Sequence, residues 1–159
     1  MGSGARSVIA IDTNVLVRYA VKDDPEQTLL ATNYLRNNRC LLLPTVILEA
    51  AWVLGSKRGY ALDARTVATR LRHIAGLPTV EVNQADRVAQ ALDWYERGMD
   101  FADALHLALA GTDQGLATLD RGIRATADRL KLSHRVVLIA PDSDPQAQVR
   151  SSRDAAGDA

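Results

Sequence analysis

The sequence predicts an α/β fold, with a central parallel sheet of four or five strands flanked by about seven helices. Short apolar runs alternate along the chain with longer segments that carry helical signals, which is the order of β–α–β units. The apolar runs are continuous rather than alternating with polar residues, as in strands that helices cover on both faces. Because the segments between them are long enough for crossover helices, the strands are expected to pair in parallel.

The first half of the chain is predicted to form three strands and four helices. Asp24 followed by Pro25 and Gln27 is typical of an N-cap, a proline in the first helical position and a capping box. Glycines mark two helix ends, at Gly59 and Gly76. The predicted strands are residues 7–11, 40–43 and 79–82, and the predicted helices are residues 14–21, 25–37, 44–59 and 63–76.

The second half continues the same alternation. Asn83 is expected to cap a fifth helix that ends at Gly98, and Asp100 a sixth that ends before Gly115. Strands are predicted at residues 116–119 and 136–139, with a seventh helix from Asp120 to about residue 131 between them. From Pro141 the chain turns polar, which predicts one domain over residues 1–141 and a disordered tail over residues 142–159.

Composition narrows the class of protein. A chain of 159 residues, 47% hydrophobic and 24% charged, is typical of one globular domain with a real core. The formal net charge is zero, so nucleic acid would have to bind a local patch or a metal site. No apolar run approaches the roughly 20 residues of a membrane span. The single cysteine, Cys40, precludes an internal disulfide, and its apolar run predicts a buried, inert thiol, which fits the cytoplasm.

Four acidic residues stand inside or directly beside apolar runs. Asp12 follows Val-Ile-Ala-Ile, and Asp120 follows Leu-Ala-Thr-Leu. Glu49 and Asp103 lie within the apolar stretches of two predicted helices. Because an ionised carboxylate in apolar surroundings needs a partner, four such acids far apart in sequence suggest one shared cation. A hard divalent metal is the simplest candidate.

The predicted fold gives these acids a common location. Asp12 and Asp120 each follow a strand, and functional groups of open parallel sheets gather beyond the carboxyl ends of strands. Asp103 falls in the first turn of the helix that Asp100 caps, and Glu49 is expected to face the sheet from its helix. We therefore expect the four acids to converge on one pocket.

Carboxylate oxygens suit Mg²⁺, with Mn²⁺ as a substitute, and a bound ion of this kind activates water and stabilises charge on a phosphoryl group. Zinc is not indicated, because the three histidines lack ligand spacing and no cysteine pair exists. Each acid also has a plainer interpretation: Asp12 and Asp120 as helix caps, Asp103 as a partner of the helix dipole, and Glu49 as a solvated residue. The ordered set of four favours the site.

Several segments resemble the PIN domain, and in particular VapC-type toxins of bacterial toxin–antitoxin pairs. They are Ile-Ala-Ile-Asp-Thr-Asn-Val-Leu from residue 9, Glu49, Asp-Phe-Ala-Asp-Ala-Leu-His-Leu-Ala from residue 100, and Ala-Thr-Leu-Asp from residue 117. The resemblance spans nearly all of the predicted ordered chain. It implies a single PIN-like domain that acts as an Mg²⁺-dependent endoribonuclease, forms a homodimer and is held inactive by a VapB-like antitoxin.

The resemblance also implies roles for individual residues. Asp12 and Asp103 would be direct metal ligands, and Glu49 and Asp120 would complete the site. Three polar residues would support these four from beside them: Asn14, Thr118 and Asp100.

Contacts with RNA and partners are expected elsewhere. A basic stretch over residues 121–135, with Arg121 and Arg124 nearest the site, predicts phosphate contacts, or else a solvated helical face. Lys57 and Arg58 are a second candidate edge. Few aromatic residues are present, so recognition of RNA by shape is favoured over base stacking.

Two protein partners are also expected from the resemblance. The antitoxin is expected to bind in a groove between helices 25–37 and 44–58. Trp52 or Trp94 is expected to lie near the interface of the homodimer.

Two other functions fit the same pattern less well. One is a non-catalytic module that binds RNA or a partner. Such a module does not require all four acids, and this chain carries all four. A phosphatase similar to haloacid dehalogenases also begins with an aspartate after its first strand, where it is the nucleophile. Such enzymes usually carry a second aspartate two residues later, and this chain has Asn14 there.

Overall fold

The computed structural model describes residues 7–140, which form seven α-helices, five short strands and one 3₁₀ turn. The tail predicted from residue 142 and the boundary at residue 141 lie outside this range. In chain order the elements are β1 (Ile9–Ala10), α1 (Thr13–Val21), α2 (Pro25–Asn37), β2 (Cys40–Leu42), α3 (Pro44–Gly55), α4 (Ala64–Ala75), β3 (Val80–Val82), α5 (Ala85–Glu96), α6 (Phe101–Ala110), β4 (Leu116–Thr118), α7 (Arg121–Arg129), the turn Ser133–Arg135 and β5 (Val136–Leu138).

The predicted α/β class is confirmed, and every strand pair is parallel. Strand β2 lies between β1 and β3 in a three-stranded sheet, with Ile9 opposite Cys40 and Cys40 opposite Val80. Strands β4 and β5 form a two-stranded sheet with Leu116 opposite Val136. All five strands lie where the apolar runs predicted them, and each is shorter than its run.

The chain divides into two compact units between Thr112 and Asp113. The first unit contains β1 to β3 and helices α1 to α6, and the second contains β4, α7 and β5. In the second unit, Ala127, Leu130 and Val136 are buried and form its small core.

The predicted helix starts rest on local capping, and most of them are confirmed. The Oδ1 of Asp24 accepts from the backbone N–H of Gln27 at 2.9 Å, with Pro25 at the head of α2. Asp63 caps α4 through the N–H of Thr66 in the same way. These caps depend on residues within one turn of each other, so the sequence pattern alone identifies them.

Two predicted helix boundaries are wrong. Helix α3 ends at Gly55 rather than Gly59, because the chain folds back and its N–H groups at Tyr60 and Leu62 bond to the carbonyls of Val53 and Leu54. Asn83 does not cap α5. Its N–H continues the sheet by donating to the carbonyl of Leu42, so the helix starts after Gln84, at a left-handed φ of 54°.

Helix α3 provides much of the core of the first unit. Ile47, Ala50 and Leu54 are almost completely buried, and the helix contacts α1, α4 and α6.

Cys40 is also fully buried, and burial raises the pKa of its thiol, as expected of an inert cysteine. Across residues 7–140, no helix combines the length and apolar character needed to cross a bilayer.

A polar cluster connects the end of α1 to the turn after α3. Asp23 accepts from the Tyr60 hydroxyl at 2.7 Å and from the Arg18 guanidinium at 3.0 Å. These donors, Tyr60 first and Arg18 second, hold the pKa of Asp23 below its usual range. The cluster therefore helps to fix α1 against α3 at the end of α1 opposite Asp12.

Two leucines of α2 test the extent of the core. Leu35 is 1% exposed and Leu30 is 64% exposed. Replacing each by alanine therefore compares the same substitution, in the same helix, at a buried and at an exposed position. We expect Leu35→Ala to lower the free energy of unfolding by about 2–5 kcal/mol, because it leaves a cavity. Leu30→Ala should change it by less than about 0.5 kcal/mol. Urea denaturation followed by circular dichroism measures both, and equal losses would contradict this packing.

Candidate functional site

Asp12 lies two residues after the end of β1 and caps α1. Its Oδ1 accepts from the backbone N–H of Val15 at 3.1 Å, which fixes the carboxylate at the head of the helix. Within residues 7–140, Oδ2 of the same side chain makes no hydrogen bond, and the residue is exposed. One oxygen is thus fixed by the fold while the other is available to a ligand.

A long-range hydrogen bond joins Glu49 to the head of α1, beside Asp12. The hydroxyl of Thr13, the residue that follows Asp12, donates to Oε2 of Glu49 at 2.7 Å. This bond joins α1 to α3 across 36 positions of sequence. The structure therefore brings two of the four predicted acids to the same corner of the first unit.

Asp100 and Asp103 lie together at the start of α6. The Oδ1 of Asp100 accepts from the N–H of Ala102 at 2.9 Å and from that of Asp103 at 3.4 Å, so Asp100 is the N-cap that the sequence predicted. Asp103 is half-buried in the first turn. Helix α3, which carries Glu49, packs against both α1 and α6.

The expected apolar surroundings of the acids are only partly found. Asp12, Glu49 and Asp120 are exposed, and Asp103 is half-buried. The inward orientation expected for Glu49 is wrong, because the buried face of α3 is formed by Ile47, Ala50, Ala51 and Leu54. Beside Asp12 and Asp120 the apolar runs are themselves partly exposed, since Ile9 is 46% and Leu119 is 76% exposed.

The second unit contains Asp120 and its neighbours. Asp120 caps α7 by accepting from the N–H of Gly122 at 2.7 Å. The Oγ1 of Thr118 accepts from the N–H of Asp120 at 3.0 Å, which orders the turn before the helix. Thr118 thus supports the backbone at Asp120, whereas Asn14, in the first unit, lines a groove between α1 and α2.

The basic residues differ in their availability. Arg124 donates to Asp128 and to the carbonyl of Val136, both at 3.1 Å, so its guanidinium helps to hold the second unit together. Arg135 is 8% exposed. Arg121 is exposed at the start of α7, and Lys57 and Arg58 are exposed in the turn after α3. These last three are the better candidates for phosphate contacts.

The acids fit a hard divalent cation in chemistry. Among residues 7–140, no three His, Cys, Asp or Glu side chains form a cluster that could hold a metal ion. Mg²⁺, however, is commonly held by one or two carboxylates, with water and substrate phosphates as its other ligands. Asp12 Oδ2 and Glu49 Oε1 make no hydrogen bond in that part of the chain, and both are oxygen donors of the required kind.

Comparison with known proteins identifies the family. A model of the PIN domain matches residues 9–145. The chain belongs to the PIN domain family. PIN domains are typically nucleases and generally depend on divalent metal ions, so the protein is a hydrolase of nucleic acids at this coarse level. A search of the curated proteins gave no match. The match gives no support to the phosphatase alternative.

The sequence of this PIN domain gave no role to Thr13 and suggested only a dimer interface for Trp52. Thr13 links the site acids, and its only sequence signal is its place directly after Asp12 at the head of a helix. Trp52 is 62% exposed and lines a cleft with Asp100. Its signal is a spacing of three residues from Glu49, which places both on one helical face.

The hydroxyl of Thr13 offers a test of the site. We expect Thr13→Val, which keeps the shape but removes the donor, to lower metal affinity or nuclease activity of this PIN domain about 10-fold or more. Thr13→Ser keeps the donor and should retain most of both. The measurement is the rate of nucleic-acid cleavage as a function of Mg²⁺ concentration, with the melting temperature as a check on folding. Equal activity of the Val and Ser variants would show that the bond to Glu49 has no role in the site.

Proposed function

We propose that the protein is an Mg²⁺-dependent endoribonuclease toxin of the VapC type. The observation that supports this most is the hydrogen bond from Thr13 to Glu49, which holds Glu49 at the head of α1, where Asp12 is the cap. The sequence carries all four acids of that motif, Asp12, Glu49, Asp103 and Asp120. A complete set of acids favours a catalytic protein over a module that only binds.

The reaction proposed is hydrolysis of an RNA phosphodiester. Water adds to phosphorus, the bond from phosphorus to the 3′ oxygen breaks, and the products are a 5′-phosphate and a 3′-hydroxyl. A bound Mg²⁺ or Mn²⁺ supplies activation of the water and neutralisation of charge on the phosphoryl group. Asp12 and Asp103 are proposed as its direct ligands, and Glu49 and Asp120 as the acids that complete the machinery, following the resemblance to VapC-type toxins.

The remaining residues position these groups. The N–H of Val15 orients Asp12, and the hydroxyl of Thr13 orients Glu49. The cap at Asp100 fixes the first turn of α6 and therefore the backbone at Asp103. Orientation of this kind matters because ligands held before the substrate arrives need no reorganisation during the reaction.

Phosphate contacts are proposed for Lys57, Arg58 and Arg121, which are exposed. Arg124 is the weaker member of the predicted set, because its guanidinium already donates to Asp128 and Val136. Contacts of this kind make RNA affinity fall as salt rises.

A VapB-like antitoxin is proposed as the partner that binds α2. Leu29, Leu30 and Tyr34 are 60%, 64% and 37% exposed, and a groove of about 280 Å³ lies between α1 and α2. Helix α3, expected to form the other wall, instead buries Ala50 and Leu54. An apolar patch on one helix is the surface that an amphipathic partner helix covers.

A homodimer is also proposed, from the resemblance. Of the two tryptophans considered for its interface, Trp94 is 3% exposed and packs inside the protomer, so it offers no surface to a second copy. Light scattering of the purified protein at micromolar concentration measures the mass, and a monomer would count against the dimer.

Purified, antitoxin-free protein incubated with total cellular RNA tests the proposed function. We expect discrete fragments with Mg²⁺ or Mn²⁺ and none with EDTA. Asp103→Asn should reduce cleavage about 100-fold or more, because loss of a metal ligand removes several kcal/mol of stabilisation from the transition state. Asp86→Asn is the matched control, since Asp86 is also an acid in the first turn of a helix, α5, and is outside the motif.

Two results would overturn the proposal. Cleavage undiminished in both Asp12→Asn and Asp103→Asn, with the fold intact, would show that these acids do not hold the catalytic ion. No cleavage by folded protein under any condition would favour the second candidate, a non-catalytic PIN module that binds RNA or a partner. Titration with Mg²⁺ supplements both, because an ion that binds only the folded protein raises its melting temperature.

A further inference from the structure

We propose that Trp52, Tyr95 and Asp100 form a subsite that holds one unpaired nucleobase of the RNA, and that guanine fits it best. The inference rests on the proposed function and adds a feature of its substrate. It differs from the expectation that RNA is recognised by shape rather than by stacking of bases.

Trp52 is exposed on its own rather than as part of an apolar patch. Its side chain is 62% exposed, whereas its neighbours in the cleft, Leu48, Ala51 and Phe101, are buried or half-buried. A stable protein interface needs a broad surface, of which one residue is a small part. A single ring face is instead the surface on which an unstacked base lies.

The cleft also lies close to the motif acids along the chain. Glu49 precedes Trp52 by three residues on α3, so both point from one side of that helix. Asp100 caps the first turn of α6, in which Asp103 lies. The cleft is lined by α3 and α6, which carry Glu49 and Asp103, and by Tyr95 of α5, so a base held there belongs to a nucleotide near the cleaved bond.

The cleft has a volume of about 310 Å³, which is room for one base, and two polar atoms that line it are available to a ligand. Within residues 7–140, Oδ2 of Asp100 and the hydroxyl of Tyr95 make no hydrogen bond. Tyr95 is held edge-on against Phe101, with ring centroids 5.4 Å apart. Gly55 keeps the hydroxyl accessible, because a Cβ there would lie 3.0 Å from it.

These groups complement guanine better than the other bases. Guanine presents two adjacent N–H donors beside a carbonyl, which match a carboxylate acceptor and a phenol donor. Burial, and then the charges of Asp100 and Asp63, raise the pKa of Tyr95, so its hydroxyl remains a donor at neutral pH. Uracil presents one N–H between two carbonyls, and the amino groups of adenine and cytosine stand beside ring acceptors.

The charge of the cleft excludes the RNA backbone as its occupant. Asp100 is the only charged residue among those that line it, and its carboxylate repels phosphate. A neutral base with N–H donors is the part of RNA that this lining accepts.

Abasic RNA tests the role of Trp52. The substrate is an RNA that the wild-type protein cleaves, with each nucleotide near the cut replaced in turn by an abasic one. We expect one position, a guanine, at which the loss slows the wild type about 10-fold. Trp52→Leu should be slow on intact RNA by a similar factor and show no further loss at that position. Trp52→Phe, which keeps an aromatic face, should behave nearly as the wild type.

Fluorescence tests the same subsite without catalysis. Trp94 is 3% exposed, so quenching by added nucleotide reports mainly on Trp52. We expect GMP to quench at lower concentration than AMP, CMP or UMP. Asp100→Asn, which preserves the helix cap, should abolish that preference. If no RNA is cleaved, the proposed function fails while this measurement still decides the subsite.

Three results would overturn the inference. One is abasic sensitivity that is identical in the wild type and Trp52→Leu. A second is quenching that does not differ among the four nucleotides in the wild type. The third is a dimer that dissociates in Trp52→Ala but persists in Trp52→Leu, because it would show that a second copy covers this side chain.

Discussion

The buried face of α3 is the constraint on which the first unit depends. Ile47, Ala50 and Leu54 form that face, and it packs against α1, α4 and α6. Because a helix has only one such face here, Glu49 and Trp52 must point outward. The carboxylate that bonds to Thr13 and the aromatic ring proposed to hold a base are thus both placed by the core. Substitutions that rotate α3 would displace both together.

Helix capping and metal binding are compatible roles for one aspartate. Asp12 and Asp120 each use Oδ1 to accept from a backbone N–H, and Asp100 does the same at α6. In all three the second oxygen makes no hydrogen bond within residues 7–140. A cap fixes the carboxylate through one oxygen and leaves the other available to a ligand. The fixed geometry lowers the entropy that is lost when a ligand binds. The cap and the ligand are therefore not rival interpretations.

The exposed apolar residues of the first unit indicate two kinds of binding surface. Leu29, Leu30 and Tyr34 lie on one helix and border a groove, which suits a protein segment. Trp52 stands alone beside a carboxylate and a phenol, which suits a single base. The two surfaces lie on different helices, α2 and α3, so substitutions at one should leave the other intact.

The sequence by itself determined what depends on neighbours along the chain. The caps at Asp24, Asp63 and Asp100 and the places of the five strands follow from local patterns, and the family follows from its motif. Tertiary structure decided the end of α3, the start of α5 and the bond from Thr13 to Glu49. Each depends on a backbone or side-chain partner far away in sequence, which no local pattern encodes. Burial of the acids is found only in part, at Asp103, for the same reason. Apolar neighbours in sequence reveal which side of a helix is buried only once its packing partners are known.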